Sequence, residues 1–296
     1  MSWPDAQVDV TVDLVRSLLV EQHPQWARLD ITEVDFGFDN SIWRVGESLV
    51  ARLPRREVAV GLIENELRWL PELAAHLTLR IPEPVARGEA NERYPWTWSI
   101  ARWIDGTPGD RLDDAELAAC AGDLGAFHAS LHVPAPDDAP RNALRGVALH
   151  AMAEAFERRL GELGSSVDRV AIDEVFRVAT NAPPWPLAPR WLHGDPHPAN
   201  LIFERGRLAG VIDFGDLCQG DPATDLAGGL MTLPYDQLAR YFDAYGDVDT
   251  ATRARTIGWT LHMGVMFVLL GRRGRVSYAR IGERALANAL RSADDL

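Results

Sequence analysis

The sequence predicts an α+β chain of two lobes, the N-terminal one rich in β-structure and the C-terminal one mostly helical. Three observations carry that reading. Short β-like runs crowd the residues before Ile104, Gly106, Pro108 and Gly109 form a linker, and beyond it apolar residues recur at helical spacing almost to the end. The expected division is 1–104 and 105–296, with a ligand-binding cleft between the two lobes.

The elements follow in order. Val8, Val12, Val15, Leu18 and Leu19 repeat at helical spacing with Asp and Arg between them, which predicts an amphipathic first helix from Val8 to Val20. Three β-like runs come next, Ile31 to Phe36, Ser41 to Val45 and Ser48 to Leu53. Gly46 and Glu47 suit a tight hairpin between the last two. A helix over Val58 to His76 carries Leu62, Glu66, Trp69, Leu70 and Leu73. Pro82 and Pro84 then impose an extended stretch, and Trp96 to Trp103 reads as a strand leading out of the sheet. Helices are expected at Asp113 to Leu131, Val147 to Leu163, Val167 to Asn181, Tyr235 to Tyr245, Asp249 to Leu270 and Val276 to Leu290. One β-like pair interrupts them, Leu201 to Phe203 and Leu208 to Asp213.

Composition narrows the function. Across 296 residues, 47% are hydrophobic and 25% charged, as in ordinary globular proteins. The formal net charge of −13 argues against nucleic acid as a partner, because a phosphate backbone demands clustered positive charge. The apolar stretch Met263 to Leu270 is far short of the roughly 20 residues of a membrane helix, and no secretory signal is legible, so a cytoplasmic protein without a membrane partner is expected. Cys120 and Cys218 have neither disulfide-framework nor zinc-site spacing. The chain contains no lysine, so all 30 basic residues are arginines and any ion-pairing role falls to Arg.

Residues 193–200 read His-Gly-Asp-Pro-His-Pro-Ala-Asn, and 213–216 read Asp-Phe-Gly-Asp at the end of the small hairpin. Phosphoryl transfer from a nucleotide needs a carboxylate near the acceptor hydroxyl and oxygen ligands for magnesium on the phosphates. Asp195 and Asn200 are five apart, the separation of the Asp and Asn in the protein-kinase catalytic loop, and Asp213 opens a literal Asp-Phe-Gly. This pattern makes Asp195 the catalytic carboxylate and Asn200 and Asp213 the magnesium ligands. His193 and His197 are read as residues that orient the loop.

Together with Gly220-Asp221-Pro222 and Asp225-Leu226-Ala227, these segments make the chain similar to the aminoglycoside phosphotransferase family over most of its length. The resemblance implies a protein-kinase-like fold, ATP or GTP as donor and Mg2+ as cofactor. By the same resemblance Gly37-Phe38-Asp39-Asn40-Ser41 is the nucleotide-phosphate loop, Arg52 stands where the family has a phosphate-binding lysine, and Glu66 is that residue's helix partner. Trp98 to Trp103 resembles the strand whose backbone meets the purine, with Ala101 and Trp103 as contacts, and Asp225 braces the catalytic loop. Arginine at position 52 keeps the charge and can bind phosphate bidentately, although its planar fork fills space differently from an ammonium.

The implied activity is phosphorylation of a small-molecule hydroxyl by a monomer, with an aminoglycoside or macrolide antibiotic as acceptor. A metabolic kinase acting on a sugar, amino alcohol or homoserine-like acceptor would use the same residues, and a nucleotide-binding pseudokinase is the reading of another class. No motif between Tyr235 and Leu296 identifies the acceptor; Trp259, His262, Met263, Met266 and Phe267 recur at helical spacing as a core stripe that could also line a pocket.

Overall fold

The computed structural model describes residues 5 to 36 and 39 to 295; Gly37 and Phe38 of the expected phosphate loop lie outside the described residues. The chain divides into two compact units. The first holds residues up to His76, Arg80–Asp105 and the short segment Ile212–Gly215, and the second holds Leu77–Leu79, Gly106–Val211 and Asp216 onward.

In the first unit, helix α1 (Val12–Gln22) starts four residues later than the sequence predicts. Thr11 explains the difference, because its hydroxyl accepts the Leu14 N–H and caps the helix there. Strands β1 (Ile31–Phe36), β2 (Asn40–Val45), β3 (Leu49–Pro54), β4 (Pro84–Gly88) and β5 (Trp98–Arg102) form an antiparallel sheet in the order β1-β2-β3-β5-β4. The stretch after Pro82, expected only to be extended, pairs along β5 as strand β4. Strand alternation gives β3 two buried faces. Leu49, Ala51 and Leu53 join Trp43, Val45, Trp98 and Ile100 against Val15, Leu18 and Leu19 of α1. Arg52 points the other way, toward helix α2 (Val60–Ala74), which buries Ile63, Glu66, Trp69, Leu70 and Leu73.

The second unit opens with β6 (Thr107–Pro108), so residues expected as linker instead pair with β8 (Leu201–Glu204), which continues into β9 (Arg207–Val211). The single helix expected at Asp113 to Leu131 is two, α3 (Asp114–Ala118) and α4 (Ala121–Leu131). The chain tightens at Cys120, whose N–H bonds Leu117 O three residues back. Helices α5 (Ala153–Leu163) and α6 (Arg169–Thr180) precede β7 (Arg190–Leu192), which pairs with β10 (Cys218–Gly220) in a two-stranded ladder that periodicity did not reveal. Helix α7 (Ala223–Thr232) was also unforeseen, and α8 (Leu238–Tyr245), α9 (Thr250–Arg272) and α10 (Val276–Ala293) complete the unit. Among the described residues no helix is long and apolar enough to cross a membrane.

Candidate active site

In the first unit, register places Arg52 opposite Ile42 and Ser99 in the middle of the sheet. Its guanidinium meets the Glu66 carboxylate of α2 through Nη1 and Oε2, and its Nη2 lies 3.6 Å from Asp213 Oδ1. Arg52 is 6% exposed and Glu66 2%. Burial pushes the Glu66 carboxyl up to about 7; Arg52 opposes the shift and Asp213 adds to it. Glu66 Oε1 has no partner. Asp213 itself adopts the left-handed backbone at φ 65°, which costs a non-glycine residue on the order of 1–3 kcal/mol and therefore marks a position held by its surroundings. Its side chain remains 55% exposed, available to a ligand.

The phosphate-loop candidates divide between the two faces of the sheet. Asn40 and Ile42 share the Arg52 face, and the buried Asn40 Oδ1 has no partner. Asp39 Oδ1 accepts from Arg56 Nη2 at 2.6 Å; burial raises the Asp39 carboxyl, against the Arg56 charge. Ser41 is corrected. Its side chain lies on the opposite face, where the hydroxyl accepts the Trp43 indole N–H at 2.8 Å, because successive strand residues alternate sides. Ala101 shares the Arg52 face, opposite Val50. Trp103 is already committed through both donors, its backbone N–H to Ser48 O and its indole to Asp105 Oδ1, each at 2.8 Å.

In the second unit, the loop after β7 carries Asp195 and Asn200. Asn200 Nδ2 donates to Asp195 O at 2.9 Å and lies 3.3 Å from Asp195 Oδ2. His197 Nε2 stands 3.2 Å from the same Oδ2. Burial alone would raise the Asp195 carboxyl, but the His197 charge and hydrogen bond, with Arg145 and His193, outweigh it and hold it below the usual carboxylate range. Asp195 is thus ionised at neutral pH. Asn200 spends its amide N–H on Asp195, which leaves Oδ1 as its oxygen for a cation. Among the described residues, no cluster of three or more His, Cys, Asp or Glu side chains could hold a metal.

Asp225 on α7 fixes this loop. Its fully buried carboxylate accepts the backbone N–H of His193 at 2.6 Å and of Gly194 at 2.9 Å, and His132 Nε2 lies at 3.3 Å. Behind it His132 Nδ1 meets Tyr245 OH at 2.9 Å, and the stacked His128 ring meets Tyr241 OH at 2.7 Å. Gly194 has φ 84°, and a Cβ there would come within 2.4 Å of Asp216 O, so only glycine passes. A second buried pair holds the start of α7, where Arg255 Nε of α9 donates to Asp221 Oδ2 at 2.6 Å. The network of His128, His132, Tyr241 and Tyr245 was missed in the sequence. Its signal was the i, i+4 repeat of His on one helix and Tyr on another.

The sequence matches the model of the APH phosphotransferase enzyme family over residues 30–259, most of the chain and both units. The chain belongs to the APH family. No curated protein matches it. Solved structures share the kinase-like APH fold. The GDP and kanamycin complex of APH(2'')-IIIa superposes with a TM-score of 0.64 at 20% identity, covering 95% of this chain and 98% of that one. Macrolide 2'-phosphotransferase MphH from Brachybacterium faecium gives 0.61 at 22% identity, covering 94% and 97%. The streptomycin–ATP–APH(2'')-IIa ternary complex gives 0.59 at 19% identity, covering 88% and 91%. As an APH-family chain this protein is a phosphotransferase.

Proposed function

We propose that this chain transfers the γ-phosphoryl group of ATP or GTP to a hydroxyl of a small molecule, with Asp195 as the catalytic carboxylate. The observation that carries the reading is the Asp195 side chain itself, held by Asn200 and His197 on a loop clamped by Asp225. The incoming hydroxyl donates to Asp195, its oxygen forms the new bond to phosphorus, the bond to the leaving diphosphate breaks, and the proton passes to Asp195. A low carboxyl pKa suits orientation more than early deprotonation, and a loose phosphoryl transition state asks for little base strength until late.

Arg52, held by Glu66, binds the donor's phosphates, with Asp39 and Asn40 beside them and the Ala101–Trp103 backbone toward the purine. Asn200 Oδ1 and the strained, half-exposed Asp213 carboxylate are the oxygens for magnesium; one or two such ligands plus phosphates suffice for that ion. Bound magnesium would neutralise charge developing on the phosphates. The neighbours named for aminoglycosides and macrolides make antibiotic hydroxyls the first acceptors to try. The test is nucleotide consumption with and without acceptor and magnesium. Acceptor-dependent, magnesium-dependent turnover is expected; nucleotide binding without turnover for any acceptor would leave the pseudokinase reading.

A further inference from the structure

Asp216 closes the Asp-Phe-Gly-Asp segment and has no part in the proposed chemistry, yet it lies against the loop that carries Asp195. A Cβ on Gly194, the residue before Asp195, would stand 2.4 Å from Asp216 O and 2.9 Å from Asp216 Cβ. Asp216 is therefore the wall against which the loop turns. It also ends the short turn Phe214–Asp216, which begins one residue after the proposed magnesium ligand Asp213.

What holds Asp216 comes from far away in the chain. Asn142 Nδ2 donates to Asp216 Oδ1 at 2.8 Å, across 74 residues. The amide is oriented for this contact, because its Oδ1 accepts the Leu144 N–H at 2.8 Å and its NH2 group is left to face the carboxylate. A hydrogen bond to an ionised acceptor is among the stronger ones. Arg145 Nε stands beside it, 3.8 Å from Asp216 Oδ2, as an ion pair. Residues 135–148 contain no helix or strand, so the loop bearing Asn142 takes its shape from what it is tied to. On one side of Asn142, Gln219 N donates to Pro140 O at 2.9 Å and Gln219 Nε2 to Ala139 O at 2.8 Å. On the other, Asp221 N donates to Gly146 O at 3.0 Å and Gly146 N to Thr224 Oγ1 at 3.2 Å. Packing is closed there as well, since a Cβ on Gly220 would come within 2.3 Å of Gly146 O. Pinned on both sides, the loop presents Asn142 as a fixed donor.

We propose that Asn142 is a positioning residue for phosphoryl transfer: by holding Asp216 it fixes the wall behind Gly194, and with it the place of Asp195. The proposal rests on the phosphotransferase reading above. Asn142 touches neither substrate nor metal in it and acts through Asp216 alone.

The test exchanges donor and acceptor. Wild type is compared with Asn142→Ala, Asn142→Asp, Asp216→Asn and the double variant Asn142→Asp/Asp216→Asn. Two readouts are taken on each: magnesium-dependent consumption of ATP and GTP with kanamycin, erythromycin or water as acceptor, and hydrogen exchange at the Gly194 and Asp195 amides without nucleotide. Asn142→Ala should lower kcat by about tenfold, move KM for nucleotide by less than about twofold, and speed exchange at both amides. Asn142→Asp sets two carboxylates face to face and should cost at least as much. Asp216→Asn keeps an oxygen for the Asn142 amide and should lose only about threefold. The double variant rebuilds the contact with its polarity reversed and its net charge kept, so kcat and exchange should return toward wild type. Additive losses in the double variant, or a kcat indifferent to Asn142→Ala, would overturn the proposal. So would an Asp216→Asn variant as inactive as Asp195→Asn, because Asp216 would then itself touch substrate or metal. Failure of the phosphotransferase reading looks different: wild type turns over no nucleotide, while exchange at Gly194 and Asp195 still follows the Asn142–Asp216 contact. Exchange unmoved in all four variants would remove the positioning role in either case.

Discussion

Arg52 on β3 and Glu66 on α2 form an ion pair in which both partners are almost wholly removed from solvent. Removing one partner of such a pair strands the other, so the pair acts as a unit. Arg52→Ala should lower kcat/KM for nucleotide by about one to two powers of ten, and Arg52→Lys should recover part of it if charge matters more than the fork. Glu66→Ala should cost much less in the Arg52→Ala background than in wild type. Steady-state kinetics over the double-mutant cycle check this, and additive losses would show that the two act independently.

Glu66 also sets a pH dependence. Its carboxyl titrates at about 7 in the folded chain against 4.5 as a free side chain, so the folded state binds the extra proton between those values. Stability contributed by the protonated group is complete below about 4.5 and is lost as pH rises through about 7. Urea unfolding should show wild type losing stability relative to Glu66→Gln across this window. A difference that is flat or of opposite sign contradicts the assignment.

The Asp225 clamp gives the third prediction. Asp225→Ala leaves two backbone N–H groups of the catalytic loop without their acceptor, and should destabilise the protein by about 3–5 kcal/mol. Asp225→Asn keeps one acceptor oxygen and should fold better while losing kcat more than nucleotide affinity. Denaturant midpoints and kcat, measured together, decide it.

Much of the catalytic loop was legible because its residues are close in sequence: Asp195 and Asn200 bond to each other across five residues. Arg52 and Glu66 were paired by the family resemblance, and strand β3 and the helix that follows it bring them together. The clamp was less legible, since Tyr241 and His128 meet across 113 residues and periodicity says nothing about which helices pack together. Helix α7 was hidden by its own composition. Gly228, Gly229 and two threonines have poor helix propensity, and the segment is helical because every residue in it is buried. Gly228 is part of that packing, as a Cβ there would stand 2.6 Å from Pro196 O of the catalytic loop. The face taken by the Ser41 side chain was not legible either, because loop resemblance does not say on which residue the strand alternation begins.

The most direct measurement of the central claim is the turnover of Asp195→Asn beside its nucleotide affinity, in a variant with an unchanged unfolding midpoint. The amide keeps the shape and the Asn200 contact but cannot take the hydroxyl proton. Nucleotide binding near wild type and a fall in kcat of about a thousandfold or more are expected. A kcat within a few-fold of wild type would contradict it and remove Asp195 from the reaction.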